Sequence, residues 1–275
     1  SEIRFAGNTL FDAAALQAVL GDTTGKSYDM AGLRGLADKI SMHYRAGGYP
    51  FARAYLLPQN LGGGVLRIDI VEGRYGEIRA VSEDAKLSET SQSFLDSLRV
   101  GDVIESDVLE RTTLILDDLP GLKVSPIIRP GKDVGTGDLE VYIEREPGVS
   151  GDVGFDNHGN RYTGEYRGRA NLQFDSPFLP GDQVIFRGLY SDENMWLGSL
   201  GYSLPLGSSG LRGNVGYAHT YYMLAKEYAN LGATGTAKVA SLGLSYPLLR
   251  SQRSNLTLAA TWQQKRLNDK QDLAQ

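Results

Sequence analysis

From Val149 onward the sequence obeys a different periodicity from the residues before it. Ahead of Glu146-Pro147-Gly148, apolar residues recur with both helical and strand spacing. After it they recur at every second residue, in runs of 8 to 12 broken by turn residues. A sustained period of two demands sheet, and the Pro-Gly pair marks the seam. Tyr166, Gly168, Ala170, Leu172 and Phe174 fall on one face, with Arg167, Arg169, Asn171 and Gln173 on the other. Trp196, Leu200, Tyr202 and Leu204 repeat the pattern opposite Ser199, Gly201 and Ser203. The non-apolar face is small, neutral and punctuated by arginine, and aromatic residues gather near strand ends. That is the wall of a transmembrane β-barrel, apolar toward lipid and wet inside. A soluble β-sandwich also alternates and is the competing reading. About seven strands are expected, starting near Val149, Tyr166, Gln183, Met195, Leu211, Thr236 and Asn255. Bacterial barrels have an even strand number of at least about 8, so this one is expected to be incomplete. The polar ending Asp272-Leu273-Ala274-Gln275 adds no strand, and the chain reads as the N-terminal piece of a longer protein.

The residues before the seam repeat with a spacing of about 75, Glu2-Ile3-Arg4 returning as Glu77-Ile78-Arg79. In the first copy Asp12 is placed to cap a short helix through Leu16, Val19 and Leu20. Asp29 opens a second helix whose buried stripe is expected to be Met30, Leu33, Leu36, Ala37, Ile40 and Tyr44, ended by Gly47-Gly48. Strands near Tyr49–Leu57 and Val65–Val71 follow, joined across Gly62-Gly63-Gly64. The second copy predicts a strand near Glu77–Val81 and a helix carrying Phe94, Leu95 and Leu98. A further helix carries Val108, Leu109, Thr112, Leu116 and Leu119, and strands follow near Lys123–Arg129 and Leu139–Arg145. The expected fold is therefore α+β followed by all-β: two β-α-α-β-β modules over residues 1–73 and 74–147, then part of an antiparallel barrel over 148–275.

Composition narrows the function. The chain has 275 residues and a net charge of −5, with −7 in residues 1–147 and +2 beyond, so no basic surface for nucleic acid is expected. It contains no cysteine, which removes thiolate metal sites, disulfides and cysteine nucleophiles. His43, His158 and His219 stand far apart without metal-ligand spacing, and no nucleophile elbow or phosphate loop occurs, so no catalytic, cofactor, nucleotide or metal site is assigned. No apolar run reaches the roughly 20 residues of a spanning helix. The start, SEIRFAGNTL, lacks a basic region followed by an apolar stretch, and any signal peptide is read as already removed.

Several segments resemble a known family. Residues 44–59, YRAGGYPFARAYLLPQ, with Ile70-Val71-Glu72-Gly73, look like the first POTRA domain of the outer-membrane transporters of two-partner secretion, the TpsB type that secretes haemolysins and haemagglutinins. Residues 119–131, LPGLKVSPIIRPG, with Gly137-Asp138-Leu139, look like the second. Phe155-Asp156-Asn157-His158-Gly159-Asn160 with Thr163-Gly164 resembles the start of that family's barrel, and Ser245-Tyr246-Pro247-Leu248-Leu249-Arg250 a later strand. The resemblance implies transport across the Gram-negative outer membrane. POTRA domains in the periplasm would capture the secretion domain of an exoprotein, and the lipid-embedded barrel would pass it to the surface. The family's N-terminal plug helix and its Val-Arg-Gly-Tyr/Phe lumenal motif are not found in these residues. An assembly factor of the same superfamily and a soluble β-rich binding module are the other readings.

Candidate contacts follow from the topology. The second strand of each module should lie at a sheet edge, where an extended partner can add a strand. The residues so placed are Tyr49, Phe51, Ala52, Arg53, Ala54, Tyr55, Leu56 and Gln59 in the first module, and Val124 and Ile127 in the second. The competing reading has Tyr49, Tyr55 and Leu56 fill the core, while Pro126 within the second strand suits an edge and blunts pairing. Arg167, Arg169, Arg187 and Arg212 are expected to face the lumen, either as a track for an unfolded chain or as partners for lumenal charges.

Overall fold

The computed structural model describes residues 2–23 and 25–271. Contacts divide the chain into two compact units. One takes the residues up to Val81 with Leu95–Thr113 and Ser125–Tyr142; the other takes Ser82–Phe94, Leu114–Val124 and the residues from Ile143 on.

The first unit opens with β1 (Glu2–Ala6), α1 (Ala13–Leu20), α2 (Met30–Ala46), β2 (Arg53–Tyr55) and β3 (Val65–Val71). Both helices start on the expected caps: Asp12 accepts from the Ala15 amide and Asp29 from the Gly32 amide, each at 2.7 Å. The strands form a sheet in the order β1-β3-β2, with β1 parallel and β2 antiparallel to β3. The two helices make the crossover that a parallel pair requires. Leu16, Leu36, Ile40, Tyr44, Ile68 and Ile70 form the core between helices and sheet. Ile40 is fully buried, and its truncation to alanine costs about 2–5 kcal/mol. Met30, expected on the buried stripe, is instead exposed, because it lies in the first turn of α2, ahead of the core contacts.

β4 (Arg74–Val81), α3 (Ala85–Gln92), α4 (Ser106–Asp117), β5 (Leu122–Pro130) and β6 (Thr136–Arg145) repeat the element order, with sheet order β4-β6-β5. Here the expected helix is displaced. Phe94 and Leu95 sit in a short 3-10 turn after α3, and Leu98 lies beyond it, so these buried apolar residues come from a looser segment than a regular helix.

In the second unit, β7 (Val149–Asp156), β8 (Arg167–Asp175), β9 (Gln183–Ser191), β10 (Trp196–Pro205), β11 (Arg212–Met223), β12 (Thr234–Arg250) and β13 (Asn255–Lys270) form one antiparallel sheet in strict chain order. β7 and β13 are its two edges, so the sheet is open, as part of a barrel would be. The last two strands, of 17 and 16 residues, exceed the expected 8 to 12. Within this same unit the end of α4 is tied to the turns of the sheet. Ser176 Oγ donates to Pro120 O at 2.6 Å, and Arg250 Nε meets Asp118 Oδ2 at 2.5 Å. Gly181 has φ +82°, and a Cβ there would come within 2.8 Å of Leu119, so the close approach needs glycine twice over.

Candidate functional site

β2 pairs with β3 alone and lies at the sheet edge. It is shorter than the expected Tyr49–Leu57. Residues 49–52 form a turn in which the Ala52 amide donates to Tyr49 O at 3.2 Å, and the ladder runs only from Arg53 to Tyr55. Gly73, with φ +71°, is pressed against the Phe51 backbone, which holds this turn against the end of β3.

The expected contact residues separate by parity. Ala52 and Ala54 are buried and Leu56 is half-buried against the core, whereas Phe51, Arg53 and Tyr55 are exposed. Tyr49 joins an aromatic cluster with Phe11 and Tyr44, at ring distances of 6.1 and 6.3 Å. Gln59 is engaged internally, its side-chain amide bonded to both backbone groups of Arg67. In the second module Val124 donates its N–H to Asp117 Oδ1 at 3.0 Å, and Ile127 is exposed on the β5 edge.

Beside β2 a groove of about 630 Å³ opens between the N-terminal half of α2 and the segment from Arg53 to Leu61. Met30, Leu33, Tyr55, Leu57 and Leu61 supply its apolar lining, with Arg34, Arg53 and Asp38 at the rim. Met30, Leu33, Leu57 and Leu61 were not among the contact residues expected from sequence. A surplus of exposed apolar residues at the start of α2 and after β2 was the available signal. Ser41 was also missed. It is buried on the inner face of α2, accepts from the Ala54 amide at 2.9 Å and donates to Ala37 O at 3.1 Å.

At the other end of the first module, the buried Glu72 carboxylate gathers several donors. It accepts from the amides of Thr9 and Leu10 at 2.6 and 2.9 Å, from Tyr44 Oη at 3.1 Å, from the Thr9 hydroxyl, and from Arg74 Nη2 at 3.1 Å. Burial alone would raise its pKa, but these hydrogen bonds outweigh burial and hold it below the usual carboxylate range. Burial, then the Glu72 charge, pushes the Tyr44 phenol up.

On the large sheet, the register decides which residues share a face. Asp156 pairs with Arg167, Asn171 with Arg187, Arg187 with Ser199, and Ser203 with Asn214. Arg167, Arg169, Arg187 and Arg212 therefore all stand on one face, with Asp152, Asp156, Gln173 and Ser241. Arg167 is paired with Asp156 at 2.7 Å. Arg212 Nη2 donates to Gly181 O at 2.9 Å and Ser203 Oγ at 3.1 Å, while its buried Nη1 has no partner. Among the described residues, Arg169 and Arg187 make no ion pair. The opposite face presents Val153, Phe155, Tyr190, Leu200, Val215, Tyr217, Leu242 and Trp262 outward, Phe155 being 90% exposed. Among the described residues no helix is long and apolar enough to cross a membrane, and no cluster of histidine and carboxylate residues could hold a metal ion.

Comparison with known proteins matches residues 1–73 to the family described as POTRA domain, ShlB-type. Residues 135–272 match the haemolysin secretion/activation proteins ShlB/FhaC/HecB. The heme/hemopexin transporter protein HuxB of Haemophilus influenzae is 29% identical over 259 residues, covering 93% of this chain and 46% of HuxB. The outer membrane transporter CdiB of Escherichia coli O6:K15:H31 is 28% identical over 270 residues, covering 95% of this chain and 45% of CdiB. A solved structure of CdiB from Escherichia coli superposes with a TM-score of 0.76 at 26% identity, over 99% of this chain and 51% of that one. The chain thus spans about half the length of the curated relatives it matches.

Proposed function

This chain belongs to the haemolysin secretion/activation protein family ShlB/FhaC/HecB, and on that premise we propose that it carries an exoprotein across the bacterial outer membrane as part of a two-partner secretion transporter. It is not an enzyme. Residues 1–73 and 74–147 act as two POTRA domains in the periplasm, and residues 148–275 as the first strands of the barrel. The modules hold the secretion domain of the exoprotein in an extended state. The barrel passes it outward, and folding outside supplies the free energy.

The observation that carries this reading is the two-faced sheet. Its apolar face meets outer-membrane lipid, and its arginine-bearing face lines the lumen. Arg169 and Arg187, unpaired, supply mobile positive charge to a passing chain, while Arg167 and Arg212 are held by the wall. In the first module the α2–β2 groove receives apolar side chains of the passenger. Tyr55, Leu56 and Leu57 line it, and Arg53 stands at its rim.

The test uses the full-length transporter in cells, together with the exoprotein encoded beside it. Met30→Asp with Leu57→Asp charges the groove at two exposed positions, and secretion is expected to fall about tenfold, the loss of roughly 1.4 kcal/mol of binding. The transporter should reach the outer membrane in unchanged amount. Unchanged secretion by a correctly inserted double variant would remove the groove from the reading.

A further inference from the structure

The two edges of the first module's sheet differ in what they offer a partner. Along β2 and its continuation, the backbone groups facing away from β3 belong to Ala52, Ala54, Leu56 and Pro58. Ala52 spends its N–H on Tyr49 O, Ala54 donates to Ser41 Oγ, and proline has no N–H. Leu56 alone is left to donate. A strand laid there would find one donor where its ladder needs several.

β1 is different. The Glu2 amide donates to Gly64 O at 2.9 Å, which turns Glu2, Arg4 and Ala6 toward β3. The N–H and C=O groups of Ile3 and Phe5 then point away from the sheet, and among the described residues they have no hydrogen-bond partner on that side. Two donors and two acceptors at i and i+2 along an exposed edge match a strand, and neither a helix nor a small ligand can satisfy all of them.

Side-chain chemistry agrees. Ile3 and Phe5 lean on the core, so the residues opposite them on an added strand would share the helix-covered face. Beside Ile3 that face holds a pocket of about 160 Å³ lined by Tyr28, Leu33, Leu36 and Leu66, together with Thr23 and Lys26. It is suited to one apolar side chain.

We propose that β1 is the strand-accepting edge of the first module, and that its occupant is an extended segment of the exported polypeptide with an apolar residue opposite Ile3. This rests on the reading that the modules hold a passenger. The groove beside β2 then takes side chains, and β1 takes backbone.

These 275 residues contain no cysteine, and any cysteine in the rest of the full-length transporter is first replaced by serine. The full-length transporter carries Arg4→Cys, Tyr55→Cys or Leu57→Cys. The probe is the N-terminal secretion domain of the exoprotein encoded beside it, with single cysteines at successive positions, stalled in export by a folded C-terminal fusion. The expected result is disulfide formation with Arg4→Cys at every second probe position within one stretch, the signature of a paired strand. Cross-links confined to Tyr55→Cys and Leu57→Cys would overturn the assignment to β1 and leave passenger capture standing. Links from Arg4→Cys to the same cysteine of a second transporter copy would also overturn it. Absence of cross-links at all three sites, with the probe shown to be stalled in the transporter, would remove capture by this module together with the β1 edge.

Discussion

The Gln59 side chain stands in for a missing residue of β2: its Nε2 donates to Arg67 O and its Oε1 accepts from the Arg67 amide, both at 2.8 Å. Arg53 and Tyr55 pair with Val71 and Asp69, so the next bonded pair on β3 would involve Arg67. The main chain has already turned away, and one primary amide supplies both the donor and the acceptor. Gln59→Leu should cost about 1 kcal/mol and speed exchange of the Arg67 amide several-fold. Hydrogen exchange read by mass spectrometry on the peptide spanning β3 checks this, and unchanged protection would contradict it.

Ser41 closes the opposite edge of the same strand, and its removal should act in two ways. Ser41→Ala leaves the buried Ala54 N–H without an acceptor, a loss of about 1–3 kcal/mol. It also opens a second donor on the β2 edge. The variant should melt lower and self-associate more readily, as sedimentation would show, whereas Ser41→Thr, which keeps the hydroxyl, should do so less.

Glu72 predicts a pH dependence with a definite sign. Its folded carboxyl titrates below the ordinary value of 4.5, so its contribution to stability is complete above that value and is lost as the pH falls through the depressed pKa. Glu72→Gln keeps an acceptor but loses the charge, and should cost about 1–2 kcal/mol, or roughly 5–10 °C in the melting of its module, at neutral pH. The gap between the two proteins should narrow below pH 4.5. The helical far-ultraviolet signal is a suitable readout, since α1 to α4 all lie before Val149. A gap that stays constant down to pH 3, roughly a unit and a half below the ordinary glutamate value, would contradict the assignment.

Arg169 and Arg187 give an electrical prediction. Replacing both by glutamate in the full-length transporter should shift pore selectivity toward cations, measured as reversal potential across a planar bilayer with a salt gradient. Leu200→Ser with Leu242→Ser, on the other face, should leave selectivity unchanged. If the arginine variant kept the selectivity of the unaltered transporter, these side chains would not face the conducting path.

What the sequence disclosed depended on how far apart the interacting residues lie. The Asp12 and Asp29 caps were legible because each reaches an amide only three residues on. The common face of four arginines was legible because parity alone assigns faces in a regular sheet. The closure of Ala54 by Ser41 joins a helix to a strand across thirteen residues, and Gln59 reaches back to β3 across eight. No local periodicity encodes either. The shortness of β2 has the same cause: Pro50–Leu57 alternates well enough for a full strand, and the Gly73 contact with Phe51 that turns the chain is visible only in three dimensions. The α2–β2 groove was half legible, its strand side from alternation and its helix side hidden because Met30 was assigned to the core.

The strict chain order of β7 to β13 bears on assembly as well as on shape. Every strand pairs with its sequence neighbour, so each addition closes a loop of at most ten residues and the entropy lost per step stays small. The sheet can lengthen at its margin one hairpin at a time. β1 must wait for β3, some sixty residues later, before it gains a ladder. Two schedules are thus written into one polypeptide: the modules condense around a distant partner all at once, while the wall grows like a zip.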